Sequence, residues 1–570
     1  MKKKFTLLGI VYVLYAGLVF YVMLPALNWH SISFWRYLGL IGIPLAAFLI
    51  YNSLMIEGKL PPAYDLETIQ LLKENGKSEY EIKKWLMEKQ NNTPTKKKDR
   101  WRKIRKGCIG IMCFCIFFPI ANAICTSRVF NAKSYAKRID VEDVDFNEIP
   151  EVDFLKTPII DRESSRRLGD KVMGNMTEWV SQFSVSNEYT QISYKDSVYR
   201  VTPLTYTNLI KFLKNSGSGI PAYITVDSTS GKTELVKLKD LGYDNMKYVP
   251  SAYWNKNLHR HLRFKYPTEI FYSPSFEIDE NGHPWYICTT YTYEGVGTKK
   301  TVTGAILLDP ITGDTTKYAI NEIPEWIDRI YPEVLLVEEL DDHGSLQDGF
   351  WNYKLSQTGV TVTSTGYNYL EKNGDIWLYS GLTSANSDAS NLGFVLVNMR
   401  THESMRIASP GANEVRAMIS AESQVKNYGY YSTFPLLINV DGHPVYLMSL
   451  KANGLVKMHA MVSATDYQQV AVFPSDKSRN VLLGNMCAVL GYDSKFISDE
   501  LKEATITVKD LQQILMNGTT IYYILDSNDE KFKAVFQPEF EQALVFLTIG
   551  DELKVYYTDD GSFKSIQEIE

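Results

Sequence analysis

The strongest constraint on this chain is the distribution of its charged residues. The first 106 residues carry 18 Lys and Arg against eight Asp and Glu, whereas the full 570 residues have a formal net charge of −6. The other 464 residues therefore sum to −16. A basic amino-terminal part joined to an acidic remainder is typical of a chain that crosses a membrane, because short cytoplasmic segments retain Lys and Arg.

Three apolar runs lie in and just after this basic part. They cover Phe5 to Leu24, Phe34 to Tyr51 and Gly107 to Ser127, and only the second contains a charge, Arg36 at its start. About 20 helical residues cross the roughly 30 Å hydrocarbon core of a bilayer. The runs predict three transmembrane helices. Three buried core helices are the alternative, and the charge asymmetry argues against them.

The segment between the second and third runs, residues 52–106, contains 14 Lys and Arg. Basic loops stay in the cytoplasm, so the amino terminus and this loop are predicted inside and residues 128–570 outside. The Ser78-x-x-Glu81 capping box predicts a helix start within a small helical hairpin. The basic tail of the loop suits the anionic inner leaflet, and nucleic acid is the alternative partner.

A signal-peptidase pattern, Ala121-Asn122-Ala123, ends the third run. Cleavage there and retention of the third helix are both compatible with the sequence. With the chain uncleaved, six regions are predicted: 1–51, two transmembrane helices; 52–106, a basic cytoplasmic helical hairpin; 107–127, a third transmembrane helix; 128–270, a first extracytoplasmic α+β module; 271–495, repeated β-hairpin modules; and 496–570, a small β-barrel.

Internal repeats organise the outer region. A G-x-P-x-Y pattern begins at Gly219, Gly282 and Gly442, and Gly374 begins a looser copy. Each glycine suits a turn, and an apolar aromatic segment follows it. In the last three copies a second apolar segment begins at Gly304, Gly393 or Gly454. The pattern predicts related β-rich α+β modules in series, and chance similarity among hairpins is the alternative.

Turn signals separate the last 75 residues from the modules. Six short apolar or alternating segments, 505–508, 520–525, 532–536, 544–549, 553–558 and 563–569, lie between them. This spacing predicts a small barrel, OB-like or SH3-like. Residues 501–570 hold six Lys, no Arg and 13 acidic residues, which argues against nucleic-acid binding.

Several phrases of the outer region resemble a family of large membrane-anchored envelope proteins of Gram-positive bacteria with no assigned activity. They are Gly219–Tyr223, Leu258–Phe264, Phe276–Asp279, Trp326–Pro332 and Phe434–Val440. The resemblance implies an envelope location and no catalytic residues. The strand and turn ending at Asp309-Pro-Ile-Thr-Gly313 also resemble PepSY modules, which are small extracytoplasmic units associated with restraining surface peptidases.

Motifs for catalysis and cofactors are missing. Gly231-Lys232-Thr233 lacks the first glycine of a P-loop, and His402-Glu403 lacks the second His of H-E-x-x-H. His259 and His261 form H-x-H without a third ligand placed by the sequence. We therefore expect no metal and no cofactor, and we identify no catalytic residue.

A basic and aromatic segment near the end of the first module is the candidate binding site. Its proposed residues are Tyr253, Trp254, His259, Arg260, Arg263 and Lys265. Arg and Lys hold phosphate or carboxylate, and aromatic faces pack on sugar rings or cations. The alternative is an amphipathic helix whose bases neutralise neighbouring acids.

Two functions remain open from sequence. One is a membrane-anchored extracytoplasmic scaffold or binding protein that recognises an envelope protein or an anionic wall polymer, with no nucleic-acid partner. The other is a cell-wall hydrolase or transferase with a dispersed carboxylate site, which leaves no local motif. Oligomeric state is not indicated.

Overall fold

The structure is a computed structural model. It describes residues 2–57, 73, 75, 77–91, 94–146, 149, 157–195, 197–272, 274–385, 390–408, 411–440, 442–475, 487, 490–491, 502–516, 519–535, 541–557 and 563–568. Most of the first half of the predicted cytoplasmic hairpin, residues 58–72, lies outside these described residues.

The chain divides into two compact units. The first contains residues 1–132, 248–273 and 288–306, and the second contains residues 133–247, 274–287 and 307–570. The helices of the first unit are α1 (Lys2–Met23), α2 (Ile32–Ile56), α3 (Glu79–Asn91) and α4 (Thr95–Cys125), with the start of α5 (Arg128–Ala136) and all of α8 (Leu258–Lys265). The second unit contains α6 (Arg162–Gly174), α7 (Leu209–Asn215), α9 (Glu333–Leu346), α10 (Glu414–Gln424) and α11 (Glu541–Val545).

Two helices, α2 and α4, are long and apolar enough to cross a membrane, and α1 has a shorter apolar stretch, Leu8–Met23. The three helices contact one another through polar groups as well. Tyr12 Oη donates to the Ile41 carbonyl (2.9 Å), and Ser53 Oγ donates to the Trp101 carbonyl (2.9 Å). The predicted capping box is confirmed, because the Ser78 and Glu81 backbone N–H groups each donate to the other residue's side chain at the start of α3.

Loops of the first unit are attached to the ends of these helices. The Leu27 N–H donates to the Pro267 carbonyl (2.7 Å), and the Val296 N–H donates to Asn122 Oδ1 of α4 (2.8 Å). At Gly295 a Cβ atom would lie 2.1 Å from Thr126 Oγ1, so only glycine fits beside the end of α4. The helices and these loops therefore pack as one compact unit.

Outside the helices the described chain is β-rich and contains four small antiparallel sheets of related order. The strands are, for the first sheet, β2 (Phe183–Val185), β3 (Thr190–Tyr194), β4 (Ser197–Tyr206), β5 (Ala222–Asp227) and β6 (Thr233–Lys237); for the second, β7 (Ile270–Phe271), β8 (Ser275–Ile278), β9 (Pro284–Tyr293), β10 (Lys300–Leu308) and β11 (Thr315–Ala319); for the third, β12 (Thr361–Thr363), β13 (Asn368–Lys372), β14 (Asp375–Ser384), β16 (Gly393–Asn398) and β17 (Ser404–Ile407); and for the fourth, β19 (Tyr431–Ser432), β20 (Leu436–Val440), β21 (His443–Ala452), β22 (Leu455–Ser463) and β23 (Val470–Pro474).

The four sheets share one design. In each, two short strands separated by a gap pair with the same long strand, so that the first edge of the sheet is interrupted. The long strand is followed by a third and then by a fourth strand. In the third sheet β1 (Glu142–Val144) adds a parallel strand beyond β17. The predicted repetition of hairpin modules is thus present as four sheets of equivalent order.

The structure corrects the register of the first repeat. The phrase beginning at Gly219 precedes β5, which is the third strand of its sheet, whereas Gly282, Gly374 and Gly442 precede the long second strand. The true first copy of that turn lies after Tyr194, where Lys195 has φ +50°. G-x-P-x-Y occurs in both places because each is a turn leading into a buried strand.

A shared turn follows the third strand of every sheet. Its first polar side chain accepts a backbone N–H two or three residues further on: Asp227 from Thr229 (2.8 Å), Asp309 from Ile311 (2.7 Å), Asn398 from Arg400 (2.8 Å) and Ser463 from Asp466 (3.1 Å). This is the Asx and Ser turn chemistry that the sequence pattern contains.

A separate five-stranded antiparallel sheet follows the modules, in the order β26-β25-β24-β27-β28. Its strands are β24 (Lys502–Met516), β25 (Thr519–Asp526), β26 (Lys531–Val535), β27 (Glu552–Tyr557) and β28 (Phe563–Glu568), and two further strands, β15 (Ser390–Asn391) and β18 (Gly411–Ala412), pair with each other earlier in the chain. The predicted strand at 544–549 is wrong, because it begins within α11. Leu544 and Leu547 of that segment are buried in the core of this sheet. A short apolar run does not distinguish a buried helical turn from a strand, which explains the wrong prediction.

Candidate functional site

A pocket of about 280 Å³ lies within the second unit, where the interrupted edges of all four sheets meet. Each gap contributes to its wall: Glu188 and Tyr189 from the first sheet, Pro274 from the second, Tyr367 from the third, and Thr433 and Phe434 from the fourth. The four gaps are therefore the positions where the fold exposes side chains to a common ligand space.

Three arginines line this pocket, and two of them have carboxylate partners. Arg329 makes a two-point ion pair with Glu333 (Nε–Oε1 3.1 Å and Nη2–Oε2 2.6 Å). Arg162, at the rim, donates from Nη2 to the Asn187 carbonyl (2.9 Å) and to Glu188 Oε2 (3.4 Å). In each of these two pairs the carboxylate offsets the charge of its arginine.

Arg200 is the third, and it has no carboxylate partner within 4.0 Å among the residues that the structure describes. Its side chain projects from β4, the residue is only 5% exposed, and its single hydrogen bond runs from Nε to the Ile160 carbonyl (3.4 Å). Its guanidinium also lies 5.8 Å from the centre of the Tyr369 ring. Burial lowers the pKa of Arg200 from its ordinary value, and the more distant charges of Asp161 and Glu333 offset only part of this effect.

A second buried polar side chain lies beside Arg200. Gln191 on β3 is its partner in the strand register, so both side chains emerge on the same face of the sheet. Gln191 is 6% exposed, and neither its Oε1 nor its Nε2 has a hydrogen-bond partner among the described atoms. Buried amides without partners are rare, since each costs about 1–3 kcal/mol.

The other acidic groups of the pocket are held by bases and hydroxyls. Lys451 of β21 donates to Asp161 (2.7 Å) and to Glu163 (2.5 Å), and Asp161 also caps α6. Burial opposes the charge of Asp161, yet the Lys451 and Ser164 bonds hold its pKa below the ordinary value. Tyr369 donates to Glu333 (2.6 Å). Each carboxylate is thus already neutralised within the wall.

Two further carboxyl groups lie behind the wall. Glu277 is fully buried, accepts Ser275 Oγ (3.2 Å) on Oε1, and accepts the Asp328 N–H (3.0 Å) on Oε2. Asp328 accepts the Ser193 N–H (2.7 Å). Burial raises the pKa of Glu277 to about 7, and burial together with the Glu277 charge raises that of Asp328. Ser275 and Arg329, which are the neighbours of this pair, line the pocket itself.

No group of three or more His, Cys, Asp or Glu side chains suited to a metal ion occurs among the described residues. Cys288 and Cys487 are both buried free thiols.

The structure brings the residues of the predicted basic and aromatic segment together in the first unit, as a three-residue 3₁₀ turn followed by α8. Arg263 is buried, donates from Nε to the Leu24 carbonyl (3.1 Å) and from Nη1 to the Glu269 carbonyl (2.6 Å), and lies 4.3 Å from the Phe271 ring centre. Arg260 lies 4.1 Å from the Tyr21 ring centre and donates to the Trp254 carbonyl (2.9 Å). These two arginines therefore hold the end of α1.

The other members of the segment differ in exposure. Tyr253 and Trp254 are exposed, at 40% and 49%, with ring centres 6.2 Å apart, and Lys265 is exposed. His259 is half-buried, and burial followed by the charge of Arg263 lowers its pKa. A binding role for the segment stays a prediction, and it rests on Tyr253, Trp254 and Lys265 rather than on the arginines.

Sequence reasoning missed the pocket because its residues are spread from position 161 to position 434. Only the spacing of the repeats carried a signal. Equivalent positions of repeated modules occupy equivalent places, so the residues just before each first hairpin were candidates for a shared site.

No protein-family model and no curated protein sequence matches the chain. Solved structures show only faint likeness. An endo-arabinase of Bacteroides thetaiotaomicron shares 10% identity over 61% of this chain and 92% of its own (TM-score 0.18). An α-L-arabinofuranosidase of Lactobacillus brevis shares 8% over 66% and 92% (0.16), and a Synechocystis apocarotenoid oxygenase mutant shares 9% over 68% and 62% (0.13).

Proposed function

We propose that this protein is a membrane-anchored binding protein of the bacterial cell envelope, whose ligand site is the pocket at the interrupted edges of the four sheets. The ligand is a component of an envelope protein or of a wall polymer. One observation carries this proposal: each of the four repeated sheets contributes the gap in its first edge to the lining of one cavity.

The membrane part of the proposal rests on charge and length. Helices α1, α2 and α4 cross the membrane, with residues 52–106 in the cytoplasm and residues 128–570 outside, as the basic loop requires. The ion pair of Arg105 with the buried Glu57 (2.8 Å) ties the cytoplasmic ends of α4 and α2.

The aromatic residues around α8 support this placement. Phe264 is exposed and lies against Phe20 and Tyr21 near the end of α1, with ring centres 5.8 and 6.2 Å apart. Exposed aromatic side chains beside the end of an apolar helix suit the membrane–water interface. The segment from Tyr253 to Lys265 then rests on the outer surface of the bilayer.

A binding role is favoured over hydrolysis by the partners of the acidic groups. Glycosidases need two carboxyl groups free to act as acid and as base or nucleophile. In this pocket Asp161 is held by Lys451 and Glu333 by Arg329, and Glu188 lies at the rim. A wall-active enzyme would have to use another site.

Retention on isolated Gram-positive cell walls tests the proposal. The full chain in detergent micelles should bind walls or an envelope protein extracted with them. Tyr367→Ala removes a half-exposed wall of the pocket and should reduce retention at least fivefold, whereas Tyr467→Ala, an exposed tyrosine of the fourth sheet's last loop, should have no effect. Equal retention by both variants, or none by the parent chain, would refute the pocket as the ligand site.

A further inference from the structure

We propose that Arg200 is the anion-recognising residue of the pocket, and that the ligand presents a single oxyanion, a carboxylate or a phosphate, next to a ring or polyol that packs on the tyrosines. This inference rests on the proposed function and names the chemistry of its ligand.

Among the arginines of the pocket, Arg200 is the one without an ion-pair partner in the described part of the chain, and Asp161 and Glu333 act on it only from beyond 4.0 Å. Arg329 is matched by Glu333, Arg162 by Glu188, and Asp161 by Lys451. Arg200 lies among them with no acidic group within ion-pair distance in the described part of the chain. A buried charge without a close partner is costly, and a ligand that supplied the counter-charge would offset that cost.

The geometry of Arg200 suits an oxyanion. Its Nε is used by the Ile160 carbonyl, while Nη1 and Nη2 have no hydrogen-bond partner among the described residues. Both terminal nitrogens of a guanidinium bind a carboxylate or phosphate through two parallel bonds. The unpartnered amide of Gln191 lies beside Arg200 on the same face of the sheet.

Aromatic rings define the rest of the ligand. Tyr189, Tyr367, Tyr369 and Phe434 share the lining with the arginines. Flat rings beside a cation favour a sugar ring or a polyol chain that carries the anionic group. A cavity of about 280 Å³ admits roughly one such unit. The site would therefore bind one sugar or polyol unit within a polymer, or the unit at its end.

The full chain in detergent is titrated with three small probes, and isothermal titration calorimetry measures their binding. Glucuronate supplies a carboxylate on a sugar ring, glycerol 3-phosphate supplies a phosphate on a polyol, and glucose is the neutral comparison. We expect one of the two anionic probes to bind, glucose to bind at least tenfold more weakly, and the winning probe to displace wall fragments from the parent chain. Tighter binding of glucuronate would indicate a carboxylated polymer, and tighter binding of glycerol 3-phosphate a phosphorylated one.

Variants of Arg200 complete the test. Arg200→Gln should weaken binding of the anionic probe at least tenfold. Arg200→Lys should weaken it less, because Lys keeps the positive charge but loses the planar pair of donor nitrogens. Arg416→Gln, an exposed arginine on α10, should leave binding unchanged. Without ligand, Arg200→Gln should keep or raise the melting temperature, since it removes an unpaired buried charge; a clear fall would make Arg200 structural and overturn the inference.

The inference and the proposed function fail separately. If no anionic probe binds, or if binding survives Arg200→Gln, anion recognition is refuted. If Tyr367→Ala still abolishes wall retention in that case, the pocket remains the ligand site for a neutral ligand. If Arg200→Gln and Tyr367→Ala both leave wall retention intact, the pocket is refuted as the ligand site.

Discussion

Tyr189 Oη lies so close to Gly169 that a Cβ atom on the glycine would be 2.2 Å from it. Gly169 is on α6, which packs over the first sheet, and Tyr189 forms part of the pocket wall in the gap between β2 and β3. The hydroxyl is buried and has no hydrogen-bond partner among the described atoms. The position of Tyr189 in the pocket wall therefore depends on the absence of a side chain at Gly169 of α6.

A double-mutant cycle measures this contact. Gly169→Ala should destabilise the protein by roughly 1–3 kcal/mol through overpacking. Tyr189→Phe should be close to neutral, because the hydroxyl that it removes has no partner. In the Tyr189→Phe background Gly169→Ala should cost much less, since the next ring atom is at an ordinary 3.5 Å. Additive changes in the free energy of unfolding would contradict the contact.

Stability should depend on pH through the carboxyl groups behind the pocket. Burial holds the pKa of Glu277 at about 7, above the ordinary 4.5, so the folded state binds this proton more tightly than the unfolded state. The stabilisation is complete below about pH 4.5 and is lost as the pH rises through 7. The raised pKa of Asp328 acts in the same direction.

Glu277→Gln should flatten this dependence. Because one pKa unit corresponds to about 1.4 kcal/mol, the loss of stability between pH 5 and pH 8 should shrink by a few kcal/mol. Thermal midpoints at pH 5, 6, 7 and 8 measure it. Glu280→Gln, an exposed carboxyl three residues on, serves as the control and should leave the slope unchanged. An unchanged slope for Glu277→Gln would show that its carboxyl is ionised in the folded protein.

The arginine that holds α1 should matter for stability. Arg263→Gln removes the donors to the carbonyls of Leu24 and Glu269 in a buried place, which should cost about 2–4 kcal/mol. Lys265→Gln changes an exposed base on the same helix and should cost less than about 0.5 kcal/mol. Melting of the full chain in detergent compares the two. Equal melting temperatures would contradict a structural role for Arg263.

Membrane orientation can be tested with introduced cysteines. In a chain whose four cysteines between positions 108 and 125 are replaced by Ala, Glu280→Cys should react with an impermeant thiol reagent in intact cells. Lys77→Cys, exposed in the basic loop, should react only after the cells are opened. Labelling of Lys77→Cys alone in intact cells would reverse the proposed orientation.

The sequence was most informative where one physical term dominates. Charge asymmetry and apolar length predict the helical part, and two of its helices are long and apolar enough to span a membrane. Turn chemistry predicts the repeated hairpins, since the side chains of Asp309 and Asn398 accept N–H groups of their own following turns. Such local effects need no knowledge of distant contacts.

The site was beyond this kind of inference because it depends on what distant residues do to one another. Arg263 and Lys265 look alike in the sequence, and only the carbonyl of Leu24, 239 positions away, separates a buried anchor from an exposed base. Arg200 reads as a single base in an apolar strand. Its significance comes from partners that other arginines have and it lacks.

The interruption of the first edge in every sheet separates the pocket from the frame that carries it. The exposed gap residues, such as Glu188 and Tyr367, lie outside the strands, so changing them shifts no strand register. Four such gaps can vary independently around one cavity. The fold is therefore suited to evolve or be engineered toward new ligands by exchanging a few gap residues, much as antibody loops vary on a constant sandwich.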